Sequence, residues 1–195
     1  MSSTDNTRRD EDRQWFLDHF ATASQLESRL IPDIDVLRDM ARHPKVVAIG
    51  ETGLDSLRGA PLSVQTELFE QHLLVAQQLG KPIIIHCVRT SGLVLQVYRR
   101  LGITMPCAIH GMRSNERVAR PLIDAGFYLS FGPRFNPNTV IATPIDRLLL
   151  ETDDSDQPID SVASAIATVL GIDAPTLVTQ ATGNLHRFLM SPIDC

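Results

Sequence analysis

Residues 79–89 read LGKPIIIHCVR: a glycine, a proline, three consecutive isoleucines, a histidine and, three positions on, an arginine. The run PIIIHC (82–87) is too short for an independent helix. It is too continuously apolar for a strand with one wet face, so it suits a parallel strand buried on both sides. Four further runs share its character: VVAIG (46–50), PCAIHG (106–111), FYLSFG (127–132) and RLLLETD (147–153).

Amphipathic segments separate these runs. Residues 63–79 place Val64, Leu68, Val75 and Leu79 on one face before Gly80, and 91–101 carries Val94, Val97 and Leu101 before Gly102. The segments 114–125 and 159–170 stop at Gly126 and Gly171, glycine being the expected residue just past a helix end. Pro121 conflicts with a helix over 114–125 unless that helix starts late or kinks. The alternation predicts an α/β fold built from βαβ units on a parallel sheet. From Val46 to Leu189 five units take about 29 residues each, near the roughly 30 of one crossover. Five of the eight units of a barrel of about 250 residues are therefore accounted for.

The front of the chain differs. Residues 2–14 hold no aliphatic or aromatic side chain, and seven of the thirteen are charged, which predicts a mobile charged arm over 1–14. Residues 15–45 read as a helical lead-in, and 46–195 as the β/α portion. The 195 residues are 43% hydrophobic with a net charge of −5, excluding a disordered chain and a broadly basic surface for nucleic acid. The apolar runs fall short of the roughly 20 residues that span a bilayer. Three cysteines, Cys87, Cys107 and Cys195, without a CxxC pair indicate neither a disulfide framework nor a cysteine zinc site. A reduced, cytoplasmic setting without membrane association is expected.

Ionisable residues stand where the strands end: Glu51 after VVAIG, His86 after PIII, His110 after PCAI, and Asp153 closing RLLLETD. In parallel α/β folds that end of the sheet binds ligands. Any one of these side chains alone is more simply a capping or hydrogen-bonding group. Two imidazoles and two carboxylates at one end make a mixed N/O set suited to a divalent metal. If 147–153 is a regular strand, Glu151 shares the inward face with Asp153, one layer deeper. There it either orients a metal-bound histidine or forms a structural ion pair. Arg58, Arg89, Arg113 and Arg134 each follow a predicted strand and suggest capture of an anionic substrate, phosphate above all. The plainer alternative is solvated loop charge, or pairing with Asp55, Asp154 or Asp156. Cys87 should point away from the face that carries His86, so it is not read as a nucleophile.

The segments AIGETGLD (48–55), PIIIHC, AIHG (108–111), GFYLSFG (126–132) and LLLETD (148–153) resemble the motif blocks of the TatD-like metal-dependent hydrolases. That family belongs to the amidohydrolase-like (β/α)8 TIM-barrel superfamily. The resemblance implies metal ligands at Glu51, His86, His110 and Asp153, with Asp153 also helping to deprotonate the attacking water. It implies one or two divalent ions (Mg, Mn or Zn) that bring the pKa of water from about 15.7 toward 7. A phosphodiester substrate, DNA among them, follows from the same resemblance. Asn184 in ATGNLHRFL resembles the asparagine of the family's closing block and is expected to cap the last helix or tie it to the barrel floor.

The family's first strand carries His-x-His, and no such pair occurs in these 195 residues. His19, His43, His72 and His186 stand singly and read as structural or solvated. Two readings of the chain's start are open, a natural short form or a start placed downstream of the true one, and the second is favoured. With four ligands in place of six, weak or no hydrolysis is expected from this chain alone. The alternative is a non-catalytic remnant or anion-binding module of the same fold. An incomplete barrel leaves strand edges unpaired, so poor solubility or a homodimer covering the gap is expected.

Overall fold

The computed structural model describes residues 34–190. The expected arm over 1–14 and the lead-in before residue 34 lie outside the described residues. Within the lead-in, Ile34–Ala41 forms helix α1. The chain divides into Met1–Met40 and Ala41–Cys195, and among the described residues every strand and candidate site residue lies in the second part.

There the elements alternate: β1 (Ile49–Asp55), α2 (Leu62–Leu79), β2 (Ile83–Val88), α3 (Ser91–Arg100), β3 (Cys107–Ile109) and α4 (Glu116–Asp124). β4 (Tyr128–Phe131), α5 (Pro137–Ala142), β5 (Leu148–Leu150), α6 (Ile159–Leu170) and α7 (Ala174–Met190) complete the series. The five strands form one parallel sheet in the order β1-β2-β3-β4-β5. This is the architecture expected from the five apolar runs, with β1 and β5 at its edges.

Alternation along the strands assigns the two faces. Ile83, Ile85, Ile109, Leu129 and Leu148 are each at most 1% exposed and form one face, with Phe69, Leu73, Val94 and Leu122 of the helices buried as well. Burying each such side chain stabilises by about 1.5–3 kcal/mol relative to leaving it in water. The opposite face presents Ile84, Ala108, Tyr128 and Leu149, onto which α7 lays Phe188 and Leu189. Tyr128 and Phe188 meet edge to face at 5.4 Å, and the Arg147 guanidinium sits 4.9 Å from the Tyr128 ring centroid. Asn184, fully buried on α7, donates through Nδ2 to the carbonyls of Ile145 and Leu148, both at 2.7 Å. The last helix is thereby tied to the start of β5.

Several boundaries differ from the sequence reading. β1 is not VVAIG (46–50) but IGETGLD, so Glu51 lies within the strand rather than after it. Pairing with β2 shifts between Ile49 and Thr52, a bulge that places Glu51 where the register changes. Gly53 makes this pairing possible: its φ is +146°, and a Cβ there would stand 2.0 Å from the His86 carbonyl oxygen. The helix expected over 114–125 starts late, at Glu116, where the Asn115 side chain accepts the Val118 N–H. Pro121 still falls inside it, at an exposed position where the carbonyl it leaves unpaired can meet water. The short α5 was not anticipated, its six residues being too few for an amphipathic period to register.

The expectation of a regular strand over 147–153 fails. β5 ends at Leu150, and Asp153 has a left-handed backbone with φ +51°. The parity argument that set Glu151 one layer beneath Asp153 therefore does not apply.

Candidate metal centre

His86 follows Ile84 by two positions on β2, and His110 follows Ala108 by two at the end of β3. Strand alternation puts both imidazoles on the inner face, above the Ile84–Ala108 layer. The His110 N–H donates to the Ile85 carbonyl at 3.1 Å, which extends the β2–β3 register up to the histidines. Their rings lie 5.2 Å apart at 32°, with His86 Nδ1 and His110 Nε2 separated by 2.9 Å. From the bulge of β1, Glu51 brings Oε1 within 2.7 Å of the same His110 Nε2.

Two groups of side chains have donor atoms all within 4.8 Å of one another: Glu51–His86–His110 and His110–Glu151–Asp153. The four residues singled out from sequence thus reach the same mouth, but Asp153 does not join Glu51 and His86 in one cluster. The cause is the early end of β5, beyond which the chain turns and leaves Asp153 exposed.

Glu151 occupies the place closest to the sheet. Its Oε1 accepts the Gly111 N–H at 2.7 Å and lies 3.9 Å from His110 Nδ1. Burial holds this carboxyl above the usual carboxylate range, and the nearby Asp153 charge adds to it; Ser130, the Gly111 N–H and His110 oppose the rise. His110 therefore faces Glu51 and His86 with one ring nitrogen and Glu151 with the other.

Asp55 is a residue that the sequence reading considered only as an arginine partner. Its Oδ2 lies 3.4 Å from His86 Nε2, while Oδ1 accepts the N–H groups of Leu57 at 2.7 Å and Arg58 at 3.1 Å. The Leu57 N–H, more than any other group, holds its carboxyl below the usual range. The signal was available: Asp55 is four positions after Glu51 in the same GETGLD block.

Of the four arginines, Arg113 and Arg134 line one cleft with Glu151 and Asp153. Arg134 also approaches Asp154 at 3.7 Å, the pairing foreseen as the alternative. Arg58 and Arg89 are exposed and do not line that cleft. Cys87 faces away from this centre, 3.6 Å from Thr90 Oγ1, and burial pushes its thiol up, away from thiolate chemistry. His72 is half-buried, with Nδ1 2.5 Å from Thr52 Oγ1, in keeping with a structural role.

The chemistry of the donors fits a divalent cation: imidazoles and carboxylates of mixed hardness, converging from different strands without a thiolate.

The profile of the TatD related DNase family matches residues 19–190. The chain belongs to that family. Among TatD relatives, it is 30% identical over 178 residues to the uncharacterized metal-dependent hydrolase YcfH of Escherichia coli K12, covering 80% of this chain and 67% of that protein. It is 35% identical over 140 residues to the uncharacterized metal-dependent hydrolase TatD of Mycobacterium tuberculosis, covering 61% of this chain and 53% of that one. The chain thus spans between about half and two thirds of the length of these relatives. The crystal structure of the TatD homolog YJJV of Escherichia coli superposes with a TM-score of 0.72 at 23% identity, over 82% of this chain and 70% of that one. A TatD family hydrolase of Entamoeba histolytica gives 0.69 at 18%, over 76% and 64%. These likenesses identify the fold as a TatD-type (β/α)8 barrel, of which the described residues supply a five-stranded arc.

Proposed function

We infer that the chain is a TatD-type metal-dependent hydrolase whose substrates are phosphodiesters, DNA among them. The observation that carries this reading is the approach of Glu51 Oε1 and His86 Nδ1 to one atom, His110 Nε2, at 2.7 and 2.9 Å. Glu51, His86 and His110 would hold one divalent ion, of Mg, Mn or Zn type, and Asp153 would reach it or a second ion from the far side of His110. A cation there supplies Lewis acidity, polarising a phosphoryl oxygen and acidifying water. Asp153, exposed and beside His110, takes a proton from the attacking water. Glu151 keeps the His110 ring turned through its Nδ1 side. Arg113 and Arg134 orient the phosphate from the rim of the same cleft. The left-handed backbone at Asp153 supports a functional assignment, since strain of this kind gathers at active sites.

A second reading, a non-catalytic anion-binding module, is favoured by the rim arginines and by four ligands standing where the family has six. Metal content separates the two: two ions per chain supports the hydrolase, none supports the module, and one leaves the assay to decide. The direct test is cleavage of a simple phosphodiester and of DNA by the purified chain with added Mn2+ or Zn2+, beside a chelated sample and His110→Ala. Turnover that is indifferent to both controls would end the hydrolase reading. A cytoplasmic setting and a homodimer covering the β1 and β5 edges belong to the same reading. The free thiols of Cys87 and Cys107 support the first.

A further inference from the structure

Gln65, on the first turns of α2, spends its whole amide on the loop that follows β1. Its Oε1 accepts the Asp55 N–H at 2.7 Å, and its Nε2 donates to the carbonyls of Asp55 (3.0 Å), Arg58 (3.0 Å) and Ala60 (2.6 Å). Both backbone polar groups of Asp55 are thereby clamped by one side chain. The Asp55 carboxylate is clamped in turn: Oδ1 is occupied by the Leu57 and Arg58 N–H groups, which leaves Oδ2 for His86 Nε2 at 3.4 Å. Only 18% of the Asp55 side chain is exposed. The other nitrogen of His86, Nδ1, is the one that faces His110 and the candidate ion position.

We propose that Gln65 and Asp55 are positioning residues that fix His86 as its Nε2–H tautomer and so keep the Nδ1 lone pair free for the cation. This rests on the reading of His86 as a ligand. An imidazole that ligates through one nitrogen needs its proton on the other, and a hydrogen-bond acceptor beside that other nitrogen enforces it. Asp55 is such an acceptor by geometry. Gln65 holds the backbone from which that carboxylate projects, its Oε1 accepting the Asp55 N–H and its Nε2 donating to the Asp55 carbonyl, while the Leu57 and Arg58 N–H groups hold the carboxylate itself.

The carboxamide variant gives a sharp test, because it inverts the contact. In Asp55→Asn the oxygen is retained by the Leu57 and Arg58 N–H groups, so the new NH2 points at His86 Nε2 and donates to it. Nε2 must then accept, the ring proton moves to Nδ1, and the lone pair meant for the ion is lost. The chain labelled with 15N-histidine, without metal, is expected to show His86 as Nε2–H in the wild type and as Nδ1–H in Asp55→Asn by long-range 1H–15N correlation. Calorimetric titration with Zn2+ alone is expected to show affinity lowered about 10- to 100-fold in the variant. Gln65→Ala, which leaves the carboxylate in place, is the second variant. It is expected to let His86 populate both tautomers and to weaken Zn2+ about ten-fold. An unchanged His86 tautomer with undiminished Zn2+ affinity in either folded variant overturns the proposal. A wild type that takes up no Zn2+ would instead defeat the ligand reading of His86, and the metal-free tautomer comparison would still decide whether Asp55 sets the ring.

Discussion

His110 Nε2 and Glu51 Oε1 lie 2.7 Å apart, joining the third strand of the sheet to the first across the strand between them. His110 is also the residue common to both groups of converging donors, and its side chain is only 13% exposed. Among the described residues no other at the strand ends holds both positions.

Replacing His110 is therefore expected to cost more than replacing any single carboxylate. His110→Ala should reduce bound metal to background after dialysis against Zn2+ or Mn2+, while Asp153→Asn should retain one ion. Elemental analysis of the dialysed proteins provides the check. Equal retention in both variants would place the ion elsewhere.

The two rim arginines should matter by substrate charge. Arg113→Ala with Arg134→Ala removes two donors able to meet a phosphate, each charge-assisted contact contributing about 1.5–3 kcal/mol. KM for a phosphodiester is expected to rise about ten-fold or more, with a neutral ester barely affected. Parallel Michaelis curves on the two substrates test this, and equal effects would remove the phosphate role.

His72 predicts a pH dependence of stability. Burial holds its imidazole below the ordinary value of 6.5, so the folded chain keeps it neutral while the unfolded chain takes up a proton first. Its contribution is complete above that value and is lost as pH falls from about 6.5 toward the lowered one. His72→Leu should cost about 1 kcal/mol at pH 7.5, where the Thr52 hydrogen bond is given up. The difference should shrink toward pH 5.5. Urea unfolding at the two pH values measures it, and a gap that widens on acidification would contradict the sign.

Asn184 should matter for stability and not for the metal. Asn184→Ala strands the buried Leu148 carbonyl and gives up the part-buried contact to the Ile145 carbonyl, and is expected to cost about 2 kcal/mol. The urea midpoint should fall while Zn2+ affinity of the folded protein stays within two-fold or so. A matching loss of metal affinity would mean that α7 also shapes the mouth of the sheet.

Much of this was readable from the chain alone. The run PIIIHC does form a parallel strand, as its composition over six residues implies, but only Ile83 and Ile85 on one face are fully buried, Ile84 on the other being partly so. The same local rule carried His86 and His110 to one face, since a period of two leaves no other choice. Gly80 and Gly171 stop α2 and α6 in the left-handed conformation expected of them. What the local pattern could not supply is where regularity ends. LLLETD reads as one continuous strand, yet β5 keeps three residues because it loses its neighbour's hydrogen bonds after Glu151 N–H reaches Phe131. That single difference separates Asp153 from Glu51 and His86 and draws Glu151 in toward His110. The bulge in β1 is likewise a property of two strands in register, not of one.

The amino-acid order determined which residue types stand at the strand ends, and with them the class of ion the mouth suits, because periodicity and side-chain chemistry are local. Only the tertiary structure decided which donor meets which: Glu51 with His110, Asp55 with His86, Gln65 with the loop beneath them. Those pairings depend on inter-strand register and on hydrogen bonds across ten to sixty residues, and no window of sequence contains both partners' geometry.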